Sequence, residues 1–213
     1  MKSWHIPGAV YQVLTSKDLA PGVDQPKILK RAAHPGLRIV RPTLADAEDL
    51  LQFELTNRAY FEQWINPRAA GYYCLAGVSD AIEAAAFDAE RDSAYQYLVK
   101  VEHLIVGRVN LNHVLRPYFN KAELGYRIGE QHAGKGIATQ AAGLLLAEAF
   151  ETLGFKRIEA TVRELNVASV QVLKNNGFNP YGRSLRSVQH DGQWFDLVHM
   201  STHGGGSSPQ LST

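Results

Sequence analysis

What the chain lacks narrows its function before any motif is read. Cys74 is the only cysteine, so no intrachain disulfide can form, and the residue usage points to a reducing cytoplasm. No apolar run approaches the ~20 residues that span a bilayer. The opening MKSWHIPGAVYQ also lacks the long apolar core of a secretory signal. The sequence therefore reads as soluble and unsecreted, with no membrane partner. Charge of one sign is missing too: 22 basic and 21 acidic residues leave a formal +1. That balance gives no reason to expect a direct nucleic-acid surface. No repeat of ~20–50 residues marks a solenoid or propeller. What remains is an ordinary globular composition, 45% hydrophobic and 20% charged over 213 residues. That length suits a single domain able to bury roughly 70% of its unfolded surface without metal or disulfide staples.

Residues 1–36 carry scattered Pro and Gly without a sustained period and read as an irregular extension. Residues 204–213 are rich in Gly and Ser and read as a flexible tail. Between them, strand and helix patterns mix. LRIVRP (37–42) alternates as a half-buried strand does. Thr43 with Asp46 predicts a capped helix through about Asn57, and a second helix is expected over Ser79 to Arg91. AYQYLVKV and LIVGRVNLNHV read as two strands joined near Glu102 and His103, and AELGYRIG (122–129) as a fourth strand. A long helix over 137–154 should end at Gly154, followed by the strand RIEATV (157–162) and a short helix over 166–177. Ser184 to Met200 reads as a hairpin around Asp191-Gly192. Antiparallel strands followed by a β-α-β-α-β run predict an α+β domain with a mixed sheet.

The informative segment is LGYRIGEQHAGKGIATQA, from Leu124 to Ala141: a strand, a glycine loop, then a helix. Glycines before a helix let backbone N–H groups converge on an anion, and the helix dipole favours negative charge there. Phosphate binding is the physical reading, and two familiar patterns nearly fit. Gly129 to Gly136 supplies G-x-x-x-x-G-K, but Gly136 stands where a P-loop needs Ser or Thr for magnesium. From Gly134 the dinucleotide fingerprint also nearly fits, with Thr139 in place of its last glycine. Glu159 lies at a suitable distance for a ribose-binding acid but sits inside a strand.

A third pattern fits fully. Gln131-x-x-Gly134-x-Gly136, followed by Ile137-Ala138, resembles the pyrophosphate loop of the GNAT superfamily of N-acetyltransferases. The resemblance continues in Asn166-Val-Ala-Ser169 and the closing VLKNNGF. NRAYFEQWINP (57–67) and HDGQWFDLVHMS (190–201) look like the ribosomal-protein N-terminal acetyltransferase (RimJ/RimL) branch. The four segments cover roughly residues 37–203.

The resemblance implies a GNAT-type fold: a mixed, mainly antiparallel twisted sheet flanked by helices in a single domain. It implies acetyl-CoA as cosubstrate, no metal, and direct transfer of acetyl to an amine. The fourth strand is expected to splay from the fifth, offering Tyr126, Arg127 and Ile128 to the pantetheine arm as an added strand would be offered. The loop residues Gln131, His132, Ala133, Gly134, Lys135, Gly136, Ile137 and Ala138 would hold the pyrophosphate. Asn166 and Asn175 would reach the coenzyme. Glu123 is the implied base and Ser169 the implied donor to the departing thiolate, with Tyr181 in reserve. The acceptor reads as a protein N-terminal α-amine, with a small amine or a non-catalytic acyl-CoA-binding module as alternatives, in a monomer or homodimer.

Each residue also has an ordinary explanation. Gly134 and Gly136 can simply make a tight turn, and Asn166 is an N-cap by type. Glu123 and Lys135 can be solvated charges, and Asn110, Asn112 and His113 a polar strand end. Trp64 and Trp194 either wall the acceptor site or pack in the core, and core packing is the expectation. Cys74 is expected to be structural or incidental.

Overall fold

The computed structural model describes residues 11–12 and 34–205. The extension and the tail expected from sequence thus lie largely outside the described residues. Eight strands form one sheet: β1 (Tyr11–Gln12), β2 (Leu37–Val40), β3 (Tyr95–Val101), β4 (Leu104–Leu115), β5 (Lys121–Ile128), β6 (Arg157–Arg163), β7 (Asn179–His190) and β8 (Gln193–His203). The order is β1-β7-β8-β6-β5-β4-β3-β2. Every neighbouring pair is antiparallel except β5 and β6. A parallel pair needs a long crossover, and α3 (Ile137–Ala147) supplies it. The other helices are α1 (Ala47–Glu62), α2 (Leu75–Glu90) and α4 (Val167–Asn175).

Helices cover the two faces unequally, and this asymmetry makes the site. On one face, α3 and α4 bury Ala141, Leu145 and Leu173 against Leu124, Ile158, Ala160 and Met200. On the other, α1 and α2 bury Leu50, Phe53, Val78 and Ile82 against Leu98 and Ile105. Each such large aliphatic side chain stabilises the fold by about 1.5–3 kcal/mol. The second core takes its buried strand residues from β3 and β4, with Val40 of β2 packed at its edge and none from β5 to β8.

Several expectations need adjustment. A single turn of 3₁₀ helix at Leu44–Asp46 precedes α1, where the Thr43 N–H donates to the Asp46 carboxylate at 2.9 Å as a capping box requires. α1 then runs past Asn57 to Glu62. α2 begins at Leu75, earlier than expected, because Cys74 caps it: its sulfur accepts from the Gly77 N–H at 3.4 Å. The helix expected to continue to Gly154 stops being α-helical at Ala147 and widens into a π turn over Glu148–Thr152. That turn seats Phe155 in the core at 1% exposure. The Asp191-Gly192 turn is present, both residues at positive φ, between strands longer than expected. Among the described residues, no helix is long and apolar enough to cross a membrane.

Candidate active site

The parallel pairing of β5 with β6 is three residues long: Lys121 with Arg157, Ala122 with Ile158, Glu123 with Glu159. Beyond Glu123 the strands diverge, while β5 stays paired with β4 to Ile128. The Gly129 N–H donates to the Val106 carbonyl at 2.9 Å. By the alternation of antiparallel hydrogen bonds, Arg127, Gly125 and Glu123 therefore direct their peptide groups to β4. Leu124, Tyr126 and Ile128 turn theirs toward the gap. Two of the three expected strand residues, Tyr126 and Ile128, thus offer free backbone groups there. Arg127 does not, and is a correction. Its peptide faces β4, and its guanidinium donates to Glu54 at 3.2 Å and lies 5.3 Å from the centre of the Phe61 ring.

The loop after β5 stands at the mouth of this gap. Asn57 of α1 holds its start, accepting from the Glu130 N–H at 2.8 Å. A 3₁₀ turn at Glu130–His132 follows, in which the His132 and Ala133 N–H groups bond to Gly129 and Glu130 carbonyls. Those two amides are spent on the turn, which removes them from the expected phosphate cradle. From Gly134 to Ala138, no protein acceptor among the described residues takes a backbone N–H. Gly134 and Gly136 sit at φ 72° and 86°, a region that L-residues enter at a cost of about 1–2 kcal/mol. Gly136 is also the N-cap of α3 and has no side chain to satisfy the helix N-terminus. The result is a row of open amides at the positive end of a helix dipole, with the exposed Lys135 within it. His132 has its pKa lowered by burial and by the positive charge of Lys135 and His34.

α4 closes the far side of the gap. Asn166 caps it, its side-chain oxygen accepting from the Ser169 N–H at 3.0 Å, which leaves the amide NH₂ of Asn166 for another partner. The Tyr126 phenol reaches across from β5 to Ser169, 2.7 Å from its Oγ and 3.2 Å from its carbonyl oxygen. Burial holds this phenol near a pKa of about 12 against the opposing hydrogen bond from Ser169, so it stays protonated at neutral pH. Sequence reasoning placed Tyr126 here for its backbone and missed its side chain. Asn175 is exposed, and its side-chain oxygen accepts from Gln171 at 2.7 Å. Its neighbour Asn176 faces α3 instead, donating to the Thr139 carbonyl at 3.1 Å and so joining α4 to the first turn of α3.

On the face of the sheet where α1 and α2 pack, Glu123 lies 2.9 Å from the His113 Nδ1. His113 projects from an irregularity in β4 at φ 51°. Asn112, opposite Glu123, accepts from Gln96 at 3.2 Å, and Asn110 lies over Gly125, where an added Cβ would come within 2.9 Å of its side chain. His113 and Asn112 therefore flank Glu123, and Asn110 lies one step further along the same face. Beside them, Glu54 is 1% exposed and binds Arg108 at 2.8 Å, Arg127 at 3.2 Å and the Tyr72 hydroxyl at 3.2 Å. Two guanidinium groups on one buried carboxylate leave this wall net positive. Trp64 and Trp194 are 41% and 57% exposed, so the expected core packing is overturned for both. Tyr181 lies over Arg157 at 4.7 Å, at the closed end of β6, away from Ser169. Glu159 is held by Lys121 and Arg157, each at 2.8 Å, which removes the ribose-binding reading.

A sheet opened between two parallel strands, with a phosphate-type loop at its mouth, defines an acyl-coenzyme transferase architecture. Comparison with known proteins agrees: residues 37–179 match the acetyltransferase (GNAT) domain. Over 160 residues the chain is 34% identical to "Probable N-acetyltransferase YjcK" of Bacillus subtilis, covering 74% of this chain and 88% of that one. Over 97 residues it is 33% identical to the Escherichia coli [ribosomal protein uS5]-alanine N-acetyltransferase, covering 46% and 50% of the two chains. Its fold is similar to ribosomal-protein-S5-alanine acetyltransferase from Vibrio fischeri, with TM-score 0.77, 22% identity, and 82% and 96% of the chains covered. It is likewise similar to Mycobacterium smegmatis RimJ in complex with CoA-disulfide, with TM-score 0.73, 23% identity, and 78% and 81% covered. The chain belongs to the GNAT acetyltransferase family and is an N-acetyltransferase.

Proposed function

We propose that the enzyme transfers acetyl from acetyl-CoA to the α-amine of a protein N-terminus, by direct attack within a ternary complex. The observation that carries this reading is the opening of β5 from β6 after Glu123, with the open amides of Gly134 to Ala138 at its mouth. The pantetheine arm pairs with the free peptide groups of Tyr126 and Ile128, the Asn166 amide donates to it, and the pyrophosphate rests on the loop and the α3 N-terminus. Backbone N–H of β5 turned toward the gap donates to the thioester oxygen as it becomes an oxyanion.

The acceptor enters over the exposed end of β4, where Glu123 is held by His113. Its neutral nitrogen attacks the thioester carbon, the C–S bond breaks, and the ammonium proton passes to Glu123. The departing sulfur takes a hydrogen bond from the Ser169 hydroxyl as charge develops on it, and leaves as a thiolate that solvent water protonates. When the single Tyr126 hydroxyl hydrogen is donated to Ser169 Oγ, the Ser169 hydroxyl hydrogen is free to turn toward sulfur. An N-terminal amine has a pKa near ~7.7–8.0, so roughly a tenth is already neutral at pH 7, whereas a lysine at ~10.4 is almost wholly charged. One partly exposed carboxylate is adequate for the first and poor for the second. The resemblance in sequence to an enzyme named for a ribosomal-protein alanine supports the same acceptor class.

The test is thiol release from acetyl-CoA with N-terminal peptides, lysine-only peptides and polyamines. The expected result is turnover strongest with free N-terminal α-amines. Turnover confined to small polyamines would move the acceptor to that class. Coenzyme binding without turnover on any amine would make the protein a non-catalytic acyl-CoA-binding module.

A further inference from the structure

We propose that His34, which precedes the matched domain, is a positioning residue that aims the Gly136 amide at the coenzyme pyrophosphate. The inference rests on the coenzyme reading above and assigns a residue that the loop motif does not contain. His34 Nε2 lies 2.7 Å from the Lys135 carbonyl oxygen, which can only accept, so the ring nitrogen there carries the hydrogen. The His34 main chain grips the first turn of α3 as well. Its N–H donates to Gln140 Oε1 at 2.8 Å, and its carbonyl accepts from Gln140 Nε2 at 3.5 Å.

A peptide unit is planar, with its C=O and N–H antiparallel. Fixing the Lys135 carbonyl on His34 therefore fixes the Gly136 N–H in the opposite direction, away from His34 and into the row of open amides. The need is local. Gly136 is at φ 86° and has no side chain, so nothing in the loop itself sets the rotation of the peptide that precedes it. His34 supplies that restraint from 101 residues earlier in the chain. Lys135 is the charged neighbour in this cluster, and burial together with the charges of Lys135 and His34 holds the His132 imidazole below its ordinary pKa.

The experiment is calorimetric titration of coenzyme A, with steady-state kinetics, on wild type, His34→Ala, His34→Gln and Gly136→Val. Gln carries an N–H donor at about the reach of a histidine Nε2 and should act as the rescue. His34→Ala is expected to weaken coenzyme A binding about three- to tenfold, the range one net hydrogen bond commands. His34→Gln should return to within about twofold of wild type. KM for acetyl-CoA should rise in His34→Ala with kcat unchanged at saturation. With S-acetylpantetheine, which has no pyrophosphate, His34→Ala and wild type should be equal. Wild-type affinity in His34→Ala, equal weakness in the Ala and Gln variants, or an equal deficit with S-acetylpantetheine would each overturn the positioning role. Wild-type affinity in a folded Gly136→Val would instead overturn the coenzyme reading beneath it.

Discussion

The coenzyme and acceptor halves proposed for the site are built from different materials. The coenzyme half is made of backbone: peptide groups of β5 facing a gap, glycines at positive φ, and the N-terminus of α3. The acceptor half is made of side chains brought from distant strands and helices: Glu54 with Arg108 and Arg127, Glu123 with His113, Asn112 with Gln96. Backbone offers any pyrophosphate or pantetheine the same donors, so the first half suits a coenzyme of constant chemistry. Side chains can be exchanged singly, so the second half is where one acceptor is distinguished from another. The coenzyme half should therefore fail through affinity, and the acceptor half through rate or stability.

The largest expected effect lies in the acceptor half. Glu54→Ala leaves the buried Arg108 and the partly exposed Arg127 without their counter-charge and should cost about 3–5 kcal/mol of stability, read from the urea midpoint. A loss under about 1 kcal/mol would mean that the wall is held by packing rather than by charge. Glu123→Gln comes next. The amide cannot take a proton, so kcat at pH 7 should fall about tenfold to a hundredfold. The deficit should shrink as pH rises and the amine deprotonates unaided; a deficit constant from pH 6 to about 9 would remove Glu123 as base.

Gly136→Val tests the other half. A branched side chain at φ 86° is strained and crowds the anion site, so acetyl-CoA affinity should fall at least about tenfold, or about 1.4 kcal/mol. If the rate constant falls while affinity holds, the division between the halves is wrong. Ser169→Ala and Tyr126→Phe should each lower kcat about three- to tenfold with coenzyme affinity unchanged. Because the two hydroxyls act together, the double variant should be little worse than either single one, and full additivity would separate them.

The smallest effect concerns acid. Burial opposes ionisation of Asp46, but hydrogen bonds from Lys100 and Thr43 outweigh it and hold the carboxyl below its ordinary 3.8. A depressed carboxyl contributes stability above its unfolded pKa and loses it as pH falls through the lower folded value. Removing the contact by Asp46→Asn should therefore cost stability at pH 7 and make no difference near pH 2. An equal cost at both values would assign Asp46 a neutral capping role.

What could be read in advance follows the same division. Glycines at Gly134 and Gly136, the cap at Asn166 and the turn at Asp191-Gly192 are local devices, each set by a few adjacent residues, and all were legible. Cys74 as a helix cap was missed because a sulfur acceptor is a weak and unusual signal at that position. The π turn after Ala147 was missed because Ala and Leu suit either helix, and only the burial of Phe155 selects the wider one. That Asn176 joins α4 to α3 was not legible, because neighbouring asparagines look alike until the helix has a phase.

The loop, the order of elements and the family of the chain were legible from residues alone, because spacing and backbone conformation are properties of short segments. Tertiary structure alone decided how the side chains are used. Arg127 turns to Glu54 across 73 residues, Tyr126 to Ser169 across 43, and Lys135 is gripped by His34 across 101. Nothing in a run of neighbours encodes such a pairing. It exists only once the packing of α1 and α4 against the sheet has fixed which distant groups lie within hydrogen-bond reach, about 3 Å.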